Sequence, residues 1–155
     1  MLMQELIDRH GFADFRELHR WSTVEPDRFW SEAWVDLGIV GDRGARTSEG
    51  EGFENKRWFP DARINIVETL LAGNPDDEVI VSLAEDAPRR AMTRAELTAE
   101  VAACAAALRA HGVTQGDRVA AWTPNVPETV VFALGALCIG AVVSTASTDF
   151  GPAAL

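Results

Sequence analysis

Apolar residues at Phe12, Phe15, Leu18 and Trp21 recur every three positions among polar neighbours, a spacing that gathers side chains on one helical face. Asp14, three residues before Glu17, adds a capping-box start with Asp in place of the usual Ser or Thr. Ahead of it, Leu2–Arg9 forms a shorter helical pattern that Gly11 ends. A third helix opens at Pro26 and Asp27, carries Phe29, Trp30, Ala33, Trp34 and Leu37 on its apolar face, and stops at Gly38. That much aromatic area requires burial. Docking onto the main body of the protein is one reading of the stripe, and an aromatic ligand box is the other.

The periodicity then lapses. From Gly41 to Lys56 the chain is polar, with four glycines, which predicts a surface loop or linker and a candidate domain seam. Beyond it, Pro60 and Asp61 predict a helix start, with Ile64, Val67, Leu70 and Leu71 as the apolar face and Gly73 as the stop. Asn74–Asp77 reads as a turn, Glu78–Leu83 as a strand, and Glu85–Arg90 as a loop or hairpin return. Thr93 and Glu96 form a second capping box, opening a helix that runs to His111 and buries Leu97, Val101, Cys104, Ala105 and Leu108.

His111 through Thr145 carries the strongest pattern. Arg118–Trp122 is an apolar run of strand length, and Thr123-Pro124-Asn125 breaks it. A helix begins at Val126 or Pro127 with Glu128 in its first turn, continues to about Ile139 and closes at Gly140; Ala141–Thr145 returns as a strand. This is one βαβ unit, whose parallel strands must be crossed right-handedly and covered by further layers. The expected class is therefore α/β. Residues 1–57 form a helical extension and linker, and residues 58–155 open a doubly wound sheet.

Composition narrows the chemistry. A length of 155 residues suits one domain, and a net charge of −10 excludes nucleic acid and anionic membrane surfaces as partners. Val130–Val143 is apolar but is interrupted by Gly135 and Gly140 and falls short of the ~20 residues of a membrane span. The first ten residues lack a signal-peptide pattern. Cys104 and Cys138 lie in apolar helical runs and read as buried structural thiols in a reducing cytoplasm. His10, His19 and His111 have no carboxylate at ligand spacing, so no metal site is expected. No Ser/His/Asp set or dinucleotide fingerprint occurs, and the one lysine, Lys56, lies in the polar stretch rather than in a phosphate loop.

One place has the makings of a site. Ser144–Phe150 follows the last strand at its carboxyl edge, where open α/β sheets bind ligands, and it is dense in hydroxyls with one carboxylate. The alternative is a polar strand-to-helix loop with Asp149 as N-cap ahead of Pro152.

The block from Met92 to Ser147 resembles the opening of the adenylate-forming acyl-CoA synthetase superfamily. Its T-x-x-E-L helix is followed by GV-x-x-GD-x-V, a P-N-x-P-E loop and a helix ending in GAV. HRWSTVEPDRFWSEAW and WFPDARINIVETLL are similar to the amino-terminal helical extension of the acetyl and acetoacetyl branches, and STASTDFGPAAL to the acetoacetyl branch. Ile66, Val143, Thr148 and Asp149 depart from that pattern, which carries an aromatic, Trp, Pro and Gly there.

The resemblance implies a ligase that joins a small carboxylate to ATP as an acyl-adenylate and then transfers the acyl group to the CoA thiol. It implies ATP, Mg and CoA as cofactors of the whole enzyme. It places Ser147, Thr148 and Asp149 beside the CoA channel and expects the catalytic groups beyond Leu155, leaving no catalytic residue in this segment. The remainder of the synthetase chain is then the expected partner, and self-association is expected of this segment alone. A stand-alone, non-catalytic CoA- or partner-binding module, and an acetate or propionate ligase, are the competing expectations.

Overall fold

Asp14 caps the second helix as its position requires. Its carboxylate accepts the backbone N–H groups of Arg16 and Glu17 at 2.9 and 3.1 Å. The reciprocal bond lands one residue early, with Glu17 accepting from the Ala13 N–H at 2.8 Å. In the computed structural model, which describes residues 2–85 and 87–151, this gives α1 (Leu2–His10), α2 (Phe15–Val24) and α3 (Pro26–Asp36). They belong to the first of two units, Met1–Ile64 and Asn65–Leu155.

The core of the first unit is Leu6, Leu18 and Trp21, with Ile7, Phe12 and Phe29 packed around it. Phe15 is 54% exposed, because each three-residue step falls about 60° short of a full turn and carries it off the face centred on Leu18 and Trp21. The aromatic stripe of α3 is divided. Phe29 meets Trp21 edge-on at 5.7 Å, whereas Trp30 and Trp34 lie against Trp58 and Phe59 at 5.7 and 4.8 Å.

The polar stretch has more structure than its composition predicts. Within it, β1 (Ser48–Glu49) and a short helix α4 (Gly52–Asn55) lead into β2 (Arg57–Trp58), which pairs antiparallel with β1. Charge supplies what apolar periodicity lacks: Glu49 pairs across the ribbon with Arg57 at 2.8 Å, and Arg46 bridges Glu49 and Asp61. The Arg46 guanidinium holds the Asp61 carboxyl below the usual carboxylate range. Gly50 makes the turn possible, since a Cβ there would sit 2.1 Å from the Asn55 carbonyl.

The helix expected from Pro60 starts instead at Ile66. The Arg63 N–H and C=O exchange hydrogen bonds with Asp42 at 2.8 and 3.0 Å, keeping that residue extended, and Asn65 is the N-cap.

The second unit runs α5 (Ile66–Leu71), β3 (Glu78–Ala84), β4 (Ala87–Thr93), α6 (Arg94–Ala110), β5 (Arg118–Trp122), α7 (Pro127–Cys138) and β6 (Val142–Ala146). Thr93 and Glu96 form the reciprocal capping box, and the Thr93 backbone N–H holds the Glu96 carboxyl below its ordinary value. The βαβ unit forms as its residues dictate, with β5 and β6 parallel from Arg118↔Val142 to Trp122↔Ala146.

Among the described residues of the second unit the strands form two pairs, β3 with β4 and β5 with β6, as the incomplete start of an α/β sheet. The return after Glu85 is a strand, so β3 closes antiparallel on β4 instead of crossing over to a parallel neighbour. Val67, Leu97, Val101, Val131 and Leu134 form the core, joined by Cys104 and Cys138, which are half-buried free thiols. Burial pushes the Cys104 thiol up. No helix among the described residues is long and apolar enough to cross a membrane.

Candidate functional site

The carboxyl edge of β5 and β6 gathers the polar groups singled out in the sequence. The strand ladder ends at Trp122↔Ala146, followed by a 3.0 Å bond from the Thr123 N–H to the Ala146 carbonyl. The segment after Thr123 is tied to the first turn of α7. Thr123 Oγ1 lies 3.0 Å from Thr129 Oγ1, and Thr129 Oγ1 donates to the Pro124 carbonyl at 2.8 Å.

After β6 the chain turns around Ser147. Its hydroxyl oxygen accepts the Asp149 N–H at 3.1 Å, and its carbonyl accepts the Phe150 N–H at 3.2 Å. The same carbonyl accepts the indole N–H of Trp122 at 3.0 Å. Ser147 is half-buried, while Thr148 and Asp149 are exposed. Among the described residues the Asp149 carboxylate has no hydrogen-bond or ion-pair partner. Its other reading, as an N-cap ahead of Pro152, falls outside the described residues. In the same unit a cleft of about 280 Å³ opens between β3 and the start of α7, lined by Val81, Leu83, Asn125 and Pro127 among others.

The loop therefore offers hydroxyls, one free carboxylate and backbone amides along an exposed edge. These groups can hydrogen-bond an amide-bearing chain; they include no cation to hold a phosphate. Lys56 is in the other unit and is engaged there, 3.7 Å from the Asp27 carboxylate and 5.2 Å from the centre of the Trp58 ring.

His10 is half-buried. Its ring lies 4.5 Å from that of Trp21 and stacks on Phe12, and its Nε2 is 2.7 Å from Glu32 Oε2. That carboxylate comes from 22 residues away, so local spacing does not reveal it. His111 bonds the Ala107 carbonyl through Nδ1 at 2.8 Å. Among the described residues no three of His, Cys, Asp and Glu converge as metal ligands.

Sequence reasoning passed over Trp122 as a participant. The one available signal is an aromatic at the last position of a strand entering the site edge.

Comparisons with known proteins agree on the kind of chain this is. Residues 67–155 match the family described as AMP-binding enzyme, and residues 15–70 match the acetyl-coenzyme A synthetase N-terminus. The acetoacetyl-coenzyme A synthetase of Rhizobium meliloti is 37% identical over 96% of this chain and 24% of its own length. That of Macaca fascicularis is 38% identical over 89% of this chain and 21% of its own. The solved acetoacetyl-CoA synthetase from Streptomyces lividans superposes with a TM-score of 0.88 at 32% identity, over 97% of this chain and 24% of that one. The chain thus spans under a quarter of the length of these relatives.

Proposed function

We propose that this chain, which belongs to the AMP-binding enzyme family, is the amino-terminal segment of an ATP-dependent acetoacetate–CoA ligase working in the cytoplasm. The observation that carries the reading is the superposition on one acetoacetyl-CoA synthetase across both units, joined to about a quarter of that enzyme's length. In the full ligase, acetoacetate attacks the α-phosphate of ATP to give acyl-adenylate and pyrophosphate, and the CoA thiol then displaces AMP to give the thioester. This segment supplies none of the groups that hold the triphosphate. Its contribution is the Ser147, Thr148 and Asp149 loop, placed beside the pantetheine arm of CoA with hydroxyl and amide groups to bond its amides.

The expected result is that the chain alone exchanges labelled pyrophosphate into ATP only at background when given acetoacetate and Mg²⁺. Fused in place of the matching quarter of the Streptomyces lividans enzyme, it should restore acetoacetate-dependent exchange. Turnover by the chain alone overturns the segment reading, and a folded chimera that exchanges only at background overturns its assignment to this ligase.

The remainder of the synthetase chain is the natural cover for apolar side chains that each unit exposes, among them Val35 at 73% and Leu83 at 76%. Without that cover the 16.8 kDa chain self-associates. Size-exclusion chromatography with light scattering should give a mass above the monomer that falls on dilution; a monodisperse monomer at all concentrations contradicts this.

A further inference from the structure

We infer that Trp122 is the positioning residue of the loop at Ser147, Thr148 and Asp149, fixing it through the indole N–H while leaving an exposed ring face as an apolar flank beside it. The functional meaning rests on the reading of that loop as the CoA-side segment; the geometry does not. Trp122 is 50% exposed, so burial alone does not hold its side chain in place. What orients it is the 3.0 Å bond to a carbonyl 25 residues further on.

Beyond the Trp122 indole bond and the Thr123 bond to Ala146, the hydrogen bonds found for the loop among the described residues are internal, from Asp149 and Phe150 back to Ser147. Ser147 is thus the pivot of the turn, and the Trp122 indole is what ties that pivot to the strand. The tie is stiff because β5 is paired along its length with β6 and the residues after it are held through Thr123 and Thr129. An extended chain of alternating methylenes and amides, such as pantetheine, suits a polar loop flanked by an indole face.

The test uses the 15N-labelled 155-residue chain with CoA as the probe. Trp122→Phe keeps a ring and removes the donor; Trp122→Ala removes both. A hydrogen bond of ordinary net worth converts to about a two- to tenfold effect. Amide exchange at Asp149 and Phe150 should accelerate by that factor in Trp122→Phe with an unchanged melting temperature. The protected indole N–H resonance of Trp122 should be the one that disappears. CoA affinity, read from shifts at residues 147–149, should weaken by a similar factor in Trp122→Phe and further in Trp122→Ala.

Unaltered amide exchange in Trp122→Phe overturns the inference, as does native CoA affinity once the loop has been loosened. If CoA moves no resonance in any of the proteins while exchange accelerates, the loop anchor stands and the CoA reading fails.

Discussion

Gly135→Val is expected to destabilise the second unit by about 2–3 kcal/mol, the usual size of overpacking in a closely packed core. Gly135 sits inside α7 where that helix crosses α6. A Cβ at this position would lie 2.8 Å from Cys104 Sγ, 2.9 Å from Cys104 Cβ and 3.3 Å from the Ala105 backbone nitrogen. The surroundings are unforgiving: Ala105 is 1% and Ala136 0% exposed, and Val101, Val131 and Leu134 form the core at the same crossing. Replacing glycine in a helix returns up to about 1 kcal/mol of backbone propensity, and less for a β-branched residue, so the steric term wins.

Urea denaturation should show a lower midpoint at unchanged slope. Adding Cys104→Ala should recover part of the loss, because it removes the sulfur and leaves the Cβ contact. A variant within about 0.5 kcal/mol of the parent, the range of a surface change, would mean that the helices do not approach this closely.

Glycine at this crossing could be read from the sequence only as an interruption in an apolar run, and that limit recurs. Elements whose cause is local were legible. The caps at Asp14 and Thr93, the stops at Gly11, Gly38 and Gly140, and the βαβ unit all stand close to where spacing and turn chemistry put them.

Elements whose cause lies far along the chain were not. The β1–β2 ribbon has two-residue strands of polar character, held by Arg46, Glu49, Arg57 and Asp61, and no periodic signal of length two exists. The helix expected at Pro60 gives way to an extended stretch because Asp42, 21 residues earlier, pairs with Arg63. At the candidate site the loop at Ser147, Thr148 and Asp149 was visible as an unpatterned polar run after a strand. The indole that ties it down was not, since a hydrogen bond from Trp122 to a backbone carbonyl depends on which strand ends meet.

Asn65 is a further case of that kind, and the second large effect is expected there. Its side chain serves two helices at once: Oδ1 accepts the Val67 N–H at 3.0 Å as the N-cap of α5, and Nδ2 donates to the Leu137 and Cys138 carbonyls at 3.1 and 3.0 Å, at the end of α7. Asn65→Ala loses all three bonds and should cost about 2 kcal/mol, combining an N-cap loss with the loss of both bonds to the end of α7 at a half-buried site, where the Leu137 carbonyl keeps the Gly140 N–H at 3.0 Å.

Asn65→Asp separates the two halves of the role. The introduced carboxylate remains a good N-cap acceptor, yet its second oxygen faces two carbonyls at the negative end of the α7 dipole, where a cation would be favoured. At pH 7 the loss should reach about 2–4 kcal/mol, because repulsion replaces two hydrogen bonds. The sign with pH follows from linkage. The folded state destabilises the ionised form, so its pKa rises above the unfolded value of about 3.9, and the folded state binds the proton more tightly. The deficit relative to the parent should therefore shrink as pH falls through the raised value, where a protonated carboxyl can donate to one of the carbonyls again. Thermal melts of parent and variant at pH 7 and near pH 4 decide it, with each variant compared to the parent at the same pH. A deficit that is absent at neutral pH, or that widens on acidification, would mean that Asn65 does not bridge α5 and α7.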